Sequence, residues 1–533
     1  TNSGPITLWT TGAAGGVTLN NYVHLNSNSS GAGGADITVG GGSADANDST
    51  IPGGNAASSA NSGIILGTSN VDQIVRISAG TGDIVIRGES TTSSASRSGI
   101  DMVAGVKIIG GTVDLFGKAN NPSTTNNTAS GFFHYQDSTT AKTLIEASKA
   151  FASHAPAISV RGETSSGAFG MMLSNVGDAA TIEDAVTIRT TGNNADISIT
   201  GSTGLAAGYA VQAAGLRLST ATGDVIVDSG NDPLGWSRTT GTRKVSYVPV
   251  SGQTGGNITL RTPDVTFFST GSFNVTTAGI LTLEPPVGQS FSSAQTFPLT
   301  GSVIDVGGLV VGSSDNTANL TQGAAITSSG DVRYLGGAQT GNFAITTSGS
   351  ADIAFYPTTT FAKSTPIWSA GGDILIGTAA ARATTVSLST STLTAGGDLR
   401  IYSNQNVTQS AAISAAGAVV IDTSGATGRI DVDKGIAAGA GGILLKANQD
   451  ILVDTAAKNI TTSGGGDIIF WANASGTGGD VDTGGLSVVI DSNGGDIVIA
   501  GGADDGANRG TPSDGIPDNS LVGRTANHTA RLL

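Results

Sequence analysis

The chain has 533 residues, no cysteine, 80 glycines, 12% charged residues and a formal net charge of −15. A disulfide scaffold is excluded, the glycines follow no three-residue collagen period, and an acidic chain lacks the basic surface that nucleic acid demands. With 38% hydrophobic residues the composition is not that of a disordered chain, and no apolar run reaches the ~18 residues of a membrane span.

In chain order, the start at Thr1 carries no signal-peptide pattern and the stop at Leu533 falls in polar sequence, so a piece of a longer precursor is expected. Gly4-Pro5-Ile6-Thr7-Leu8-Trp9 opens a stretch that runs through Asp36-Ile37-Thr38-Val39 to Gly41-Gly42 and an Asp/Asn-rich loop with Asp45, Asn47 and Asp48. The phrase of a small residue, Asp or Asn, then apolar-x-apolar returns at Gly82-Asp83-Ile84-Val85-Ile86, Ala195-Asp196-Ile197-Ser198-Ile199, Gly223-Asp224-Val225-Ile226-Val227 and Gly256-Asn257-Ile258-Thr259-Leu260. It continues at Gly372-Asp373-Ile374-Leu375-Ile376 and Gly397-Asp398-Leu399-Arg400-Ile401. Near the end, Asp467-Ile468-Ile469-Phe470-Trp471, Asp496-Ile497-Val498-Ile499 and Gly501-Gly502 repeat the order of the opening stretch. That larger repeat predicts two coils plus a protruding loop at each end.

Alternate strand residues point to opposite faces, so the two apolar residues of each phrase share a face. Gly and Asp or Asn ahead of them supply turn chemistry. From Asp373 to Asp398 is 25 residues, from Asp398 to Asp467 is 69, and from Asp467 to Asp496 is 29. A unit of roughly 20–30 residues that cannot bury its own apolar face is the mark of a solenoid. The expectation is an all-β, right-handed parallel β-helix, one elongated solenoid over 1–533 with loop and hairpin insertions, about 20–23 coils at ~23 residues each. Residues 118–160, with Phe132, Phe133, His134 and Tyr135, and residues 230–300, with most of the prolines, are predicted to be insertions on it. Ala141 to Phe151 reads equally as a short helix or as a strand and turn.

The Gly-Gly-Asp-Ile-x-Ile phrases, Ile468-Ile469-Phe470-Trp471 and the Gly-Gly-Ala-Asp-Asp loop resemble filamentous-haemagglutinin-type β-helix exoproteins, large bacterial surface adhesins. The resemblance implies a right-handed β-helix, secretion to the cell surface, and adhesion, aggregation or biofilm formation. The Asn-Pro-Asn-Gly type motif of that family's secretion domain is missing, since Asn121-Pro122 is followed by Ser123.

Asp504, Asp505, Asn508, Asp514 and Asp518 form a candidate calcium loop, because hard cations take several oxygen ligands. The spacing is not that of an EF-hand, and an exposed polar loop is the plainer reading. The recurring Asp residues could form a catalytic carboxylate ladder, but Asp beside Gly is ordinary turn chemistry and no basic residue recurs beside them. His24, His134, His154 and His528 show no metal-ligand spacing. Asn319-Leu320-Thr321, Asn406-Val407-Thr408 and Asn473-Ala474-Ser475 are possible glycosylation sequons.

Val85, Leu375, Ile469 and Val498 fall on the outward face, which predicts cover by loops or by another copy, through lateral or end-to-end self-association. Taken together the sequence predicts an extracellular structural or adhesive protein and not an enzyme. Its expected partners are a host or neighbouring-cell surface or extracellular polysaccharide. A polysaccharide-binding module, with the aromatics of the predicted insertions on sugar rings, is the alternative. A polysaccharide lyase or hydrolase comes third.

Overall fold

The computed structural model describes residues 4–11, 15–27, 33–44, 52–67, 75–92, 97–120, 130–136, 141–167, 169–176, 185–205, 208–236, 244–267, 272–364, 367–389, 391–453, 458–474, 479–483 and 488–502. Among them every regular element is a strand, and no helix is long and apolar enough to cross a membrane. The fold is a parallel β-helix. The chain divides into two compact units, Thr1–Ser293 with Gly301–Val303, and Ala294–Thr300 with Ile304–Leu533.

In the first unit the chain visits three strand ladders in turn and comes back to the first one coil later. The Asp-apolar-x-apolar phrases build the first ladder. Its inward column is Ile6, Ile37, Ile84, Val113, Ile158, Ile197, Val225, Ile258 and Leu281, each registered on the next. The second ladder is an eight-stranded parallel sheet that includes Val17, Ile64, Ile100 and Phe132 in one column. Leu25, Ile77, Ile108, Ile145, Ile188 and Leu218 line the third. Apart from the end coil these residues are almost wholly buried. Stacking of short apolar rows turns many small strands into one continuous core.

The second unit repeats the plan. Its first ladder stacks Leu309, Val332, Ile353, Ile374, Leu399, Val419, Ile443, Ile468 and Ile497. A nine-stranded parallel sheet forms the second ladder, and Ile304, Ile326, Ile345, Trp368, Leu393, Ile413, Ile436, Ile460 and Ile490 the third. Tyr334 and Trp368 stack on Phe355 at 4.7 and 4.8 Å between ring centroids, so large rings of two successive coils fill the core together.

Two expectations about insertions need correction. Residues 118–160 hold ladder strands: Ser130–Gln136 pairs in parallel with strands on both sides, and so does Thr143–Ala147. The segment read as a possible helix is thus a strand followed by a turn. Residues 230–300 likewise supply Leu234–Trp236, Lys244–Tyr247, Ile258–Arg261 and Val265–Phe267 to the ladders. Aromatic residues there belong to the core and do not mark a departure from the coil. Phe132, Trp236, Tyr247 and Phe273 are all buried.

A column of glycines explains much of the composition in the first unit. Gly88, Gly117, Gly162 and Gly201 are in register at the corner between the first and second ladders. A Cβ built on Gly117 would lie 2.0 Å from the carbonyl oxygen of Gly131, and one on Gly88 would lie 2.2 Å from that of Gly99. Two backbone runs cross here so closely that only hydrogen fits between them.

The larger repeat at the two ends is visible as matching geometry. Ile6 and Leu8 register on Ile37 and Val39, and Ile468 and Phe470 on Ile497 and Ile499. In each copy the outward tryptophan donates its indole N–H to the second glycine of the following coil, Trp9 to the Gly42 carbonyl at 3.0 Å and Trp471 to the Gly502 carbonyl at 2.8 Å. From Gly41 the chain leaves the coil and pairs antiparallel, Gly41 against Gly54 and Ala44 against Pro52.

Candidate functional site

Where it occurs, the recurring Asp stands immediately before the first inward residue of its first-ladder strand. There its carboxylate reaches along the stack. Asp36 Oδ1 accepts the Asp83 N–H at 2.8 Å and Asp83 Oδ1 the Thr112 N–H at 3.2 Å. Further on, Asp196 accepts from Asp224 at 2.7 Å, Asp224 from Asn257 at 2.7 Å, and Asn257 from Ile280 at 2.9 Å. The second unit has the longest run. Asp331, Asp352, Asp373 and Asp398 accept the amides of Asp352, Asp373, Asp398 and Ala418 at 3.0, 2.7, 2.7 and 2.7 Å. Asp467 accepts from Asp496 at 2.8 Å. In these coils the turn geometry leaves one amide outside the strand ladder, and a carboxylate or amide oxygen one coil back satisfies it.

A second, shorter ladder of the same kind precedes the second-ladder strands of the second unit. Asn319, Asn406 and Asp450 accept the amides of Ala338, Arg429 and Asp480 at 2.9, 3.2 and 3.0 Å. Two of the sequons are therefore ladder positions, whose Asn-apolar-Thr spelling follows from the strand pattern. Asn473 of the third is buried, with φ of 52°.

Cations meet the outer oxygens of several ladder acids. Lys149 lies 3.4 Å from Asp83, Arg333 2.6 Å from Asp331 and Arg400 2.5 Å from Asp398. The Ala418 amide, with Arg400 beside it, holds the Asp398 carboxyl below the usual range. The corresponding neighbour of Asp196 and Asp224 is His154, whose Nδ1 lies 2.9 Å from Asp196 Oδ1 and 3.7 Å from Asp224 Oδ2. The hydrogen bond to Asp196 raises the His154 pKa above its ordinary value, and the charges of Asp224 and Asp196 add to it. The sequence shows no metal-ligand spacing here, because the three residues lie on successive coils of unequal length.

Other displaced titrations are features of the core. His134 replaces an apolar residue in the inward column Leu19, Leu66, Met102. Its Nε2 meets Thr143 Oγ1 at 2.8 Å, and burial pushes its pKa down to about 3. Lys363 points inward, its Nζ donating to the Ser364 carbonyl at 3.2 Å and standing 5.3 Å over the Trp368 ring, with burial lowering its pKa to about 8. Gln322 fills the same column two coils earlier and also donates to a corner carbonyl, that of Ala324 at 3.0 Å. Lys363 is thus read as a corner plug and not as a reactive amine.

Of the residues singled out in the sequence, Asp504, Asp505, Asn508, Asp514, Asp518 and His528 lie outside the described residues, as do Asp45, Asn47 and Asp48. Phe132, Phe133 and Trp236 are 0%, 9% and 2% exposed, so they offer no open platform for a sugar ring. The outward positions behave differently. Val420, Leu444, Ile469 and Val498 stack in one column and are half-buried. Together with Ala440, Gly441 and Gly465, the first three of these line a shallow hollow on the outer face.

No family model, curated protein or solved structure matches this chain.

Proposed function

We propose that this chain is an extracellular structural and adhesive β-helix of a bacterial surface adhesin or filament, serving cell-surface attachment, aggregation or matrix formation, and not an enzyme. The observation that carries the reading is the Asp ladder. The acids that recur most regularly each have one oxygen engaged by the main chain of the next coil, so they hold coils together rather than flank a cleft. A repeated scaffold of this kind presents the same surface many times over. Its half-buried apolar column in the second unit is the surface through which it meets a host or neighbouring cell, an extracellular polysaccharide, or a second copy.

The test is attachment. Beads coated with the purified chain should bind bacterial or epithelial cells above albumin-coated beads, and a Leu444→Lys, Ile469→Lys variant should bind less while keeping its β-sheet circular dichroism. Coated beads that bind no better than albumin would remove the adhesive reading. Turnover of an extracellular polysaccharide, seen as new reducing ends or unsaturated products, would replace it with an enzymatic one.

A further inference from the structure

The geometry points to a divalent transition-metal site, of the zinc type, formed by His154, Asp196 and Asp224. Among the described residues this is the one group of three His or carboxylate side chains whose ligand atoms all lie within 4.8 Å of one another. Ligands bound to a tetrahedral Zn²⁺ at about 2.0–2.1 Å stand roughly 3.3 Å apart. The observed separations from His154 Nδ1, 2.9 Å to Asp196 and 3.7 Å to Asp224, bracket that value. A small movement of the imidazole would admit the ion.

Pre-organisation separates this group from a chance meeting of exposed charges. Both carboxylates are fixed by the ladder, Asp196 by the Asp224 amide and Asp224 by the Asn257 amide. Their strands are held in register, Ile197 on Val225. His154 comes from the coil before, just ahead of the strand Ala155–Thr164, whose Pro156 registers on Asp196. Its side chain is 48% exposed, against 12% for Asp196, so the ion would enter from solvent on the histidine side. The cations beside Asp83, Asp331 and Asp398 are Lys149, Arg333 and Arg400, whose ammonium and guanidinium groups are donors only and offer no lone pair. Histidine alone can shed its proton near neutrality and become a ligand. Mixed imidazole and carboxylate donors favour zinc over calcium, which takes oxygen ligands only. Three protein ligands leave a position for water or for a donor from another molecule. The bound ion would staple three successive coils.

Zinc chloride titrated into the full chain at pH 7.5, followed by isothermal calorimetry, tests this. One equivalent should bind, weakened at least tenfold in His154→Ala and in Asp224→Asn. The second variant keeps an amide oxygen for the Asn257 N–H, as Asn257 itself does for Ile280, so the ladder survives; circular dichroism of both variants checks the fold. The His154 ring resonances should shift on addition of zinc and return on acidification to pH 5, and excess calcium should not displace the ion. Zinc binding unchanged in His154→Ala would overturn the assignment. So would His154 resonances that titrate with pH but ignore zinc, which would leave only an ion pair.

Discussion

The two units run the same three-ladder plan at different regularity. In the second unit, successive first-ladder residues from Leu309 to Ile468 are 20–25 residues apart, with a last step of 29 to Ile497. In the first unit the steps run from 23 to 47. The column still stacks without a break. Register therefore depends on the inward apolar rows and the corner chemistry, and the loops between corners vary freely in length, as loop-closure costs allow. The corner chemistry differs as well. Both units use ladder acids ahead of the first ladder, but the first adds a registered glycine column at the corner after it, and the second carries the longest unbroken run of acids.

The largest expected effects test that difference in corners. Gly117→Ala in the first unit forces a Cβ against the Gly131 carbonyl, where backbone must move. We expect a loss of about 3 kcal/mol, the upper end of the roughly 1–3 kcal/mol usual for core overpacking, because the clash is with backbone. Gly349→Ala in the second unit meets nothing within 4 Å and has φ of +67°, so only the left-handed backbone cost of about 1–2 kcal/mol applies. Urea unfolding of the two variants should rank them in that order. Phe355→Ala belongs with the first, at about 3–5 kcal/mol, since it removes the ring on which Tyr334 and Trp368 stack.

Ladder acids come next. Asp373→Ala orphans the Asp398 amide and should cost about 1–3 kcal/mol, while Asp373→Asn should recover most of it. Equal losses in both variants would mean that charge, not the hydrogen bond, is what matters.

Two histidines of the first unit should tilt its pH profile in opposite senses. His134 is held neutral, with its folded pKa pushed down to about 3. Its contribution is present above the unfolded value of about 6.5 and is lost as pH falls from there toward 3. His134→Gln should flatten that acid limb in urea midpoints. His154 has a raised pKa. Its ion pair is fully present below about 6.5 and fades as pH rises through the folded value. With the side chain half exposed, that effect should be slight. Removing Arg333, at the exposed pair with Asp331, should be smallest of all, within about 1 kcal/mol and screened by salt.

Much of the fold was legible because one phrase reports both facts that matter. In Asp373-Ile374-Leu375-Ile376 the alternation sets the face and the Asp sets the turn. The ladder role of that Asp was not legible, since its acceptor bond runs to a residue 25 positions away. Residues 118–160 misled because Phe132 and His134 take the core places that Ile100 and Met102 hold one coil earlier. The glycine crossing left a trace in Arg87-Gly88-Glu89, Phe116-Gly117-Lys118 and Arg161-Gly162-Glu163, a glycine inside a strand between outward side chains. Turn chemistry accounts for most other glycines and hid it. The His154 group was invisible for a plainer reason: its members are 42 and 28 residues apart, and coil lengths in the first unit follow no fixed period.

Amide hydrogen exchange along the second unit tests the central claim most directly. The amides of Asp352, Asp373, Asp398 and Ala418, which no strand partner covers, should be protected nearly as well as those of Ile353, Ile374, Leu399 and Val419. In Asp373→Ala, protection should fall selectively at Asp398. Rapid exchange of these four amides in the unmodified chain would contradict the account, because the carboxylates would then not be joining coil to coil.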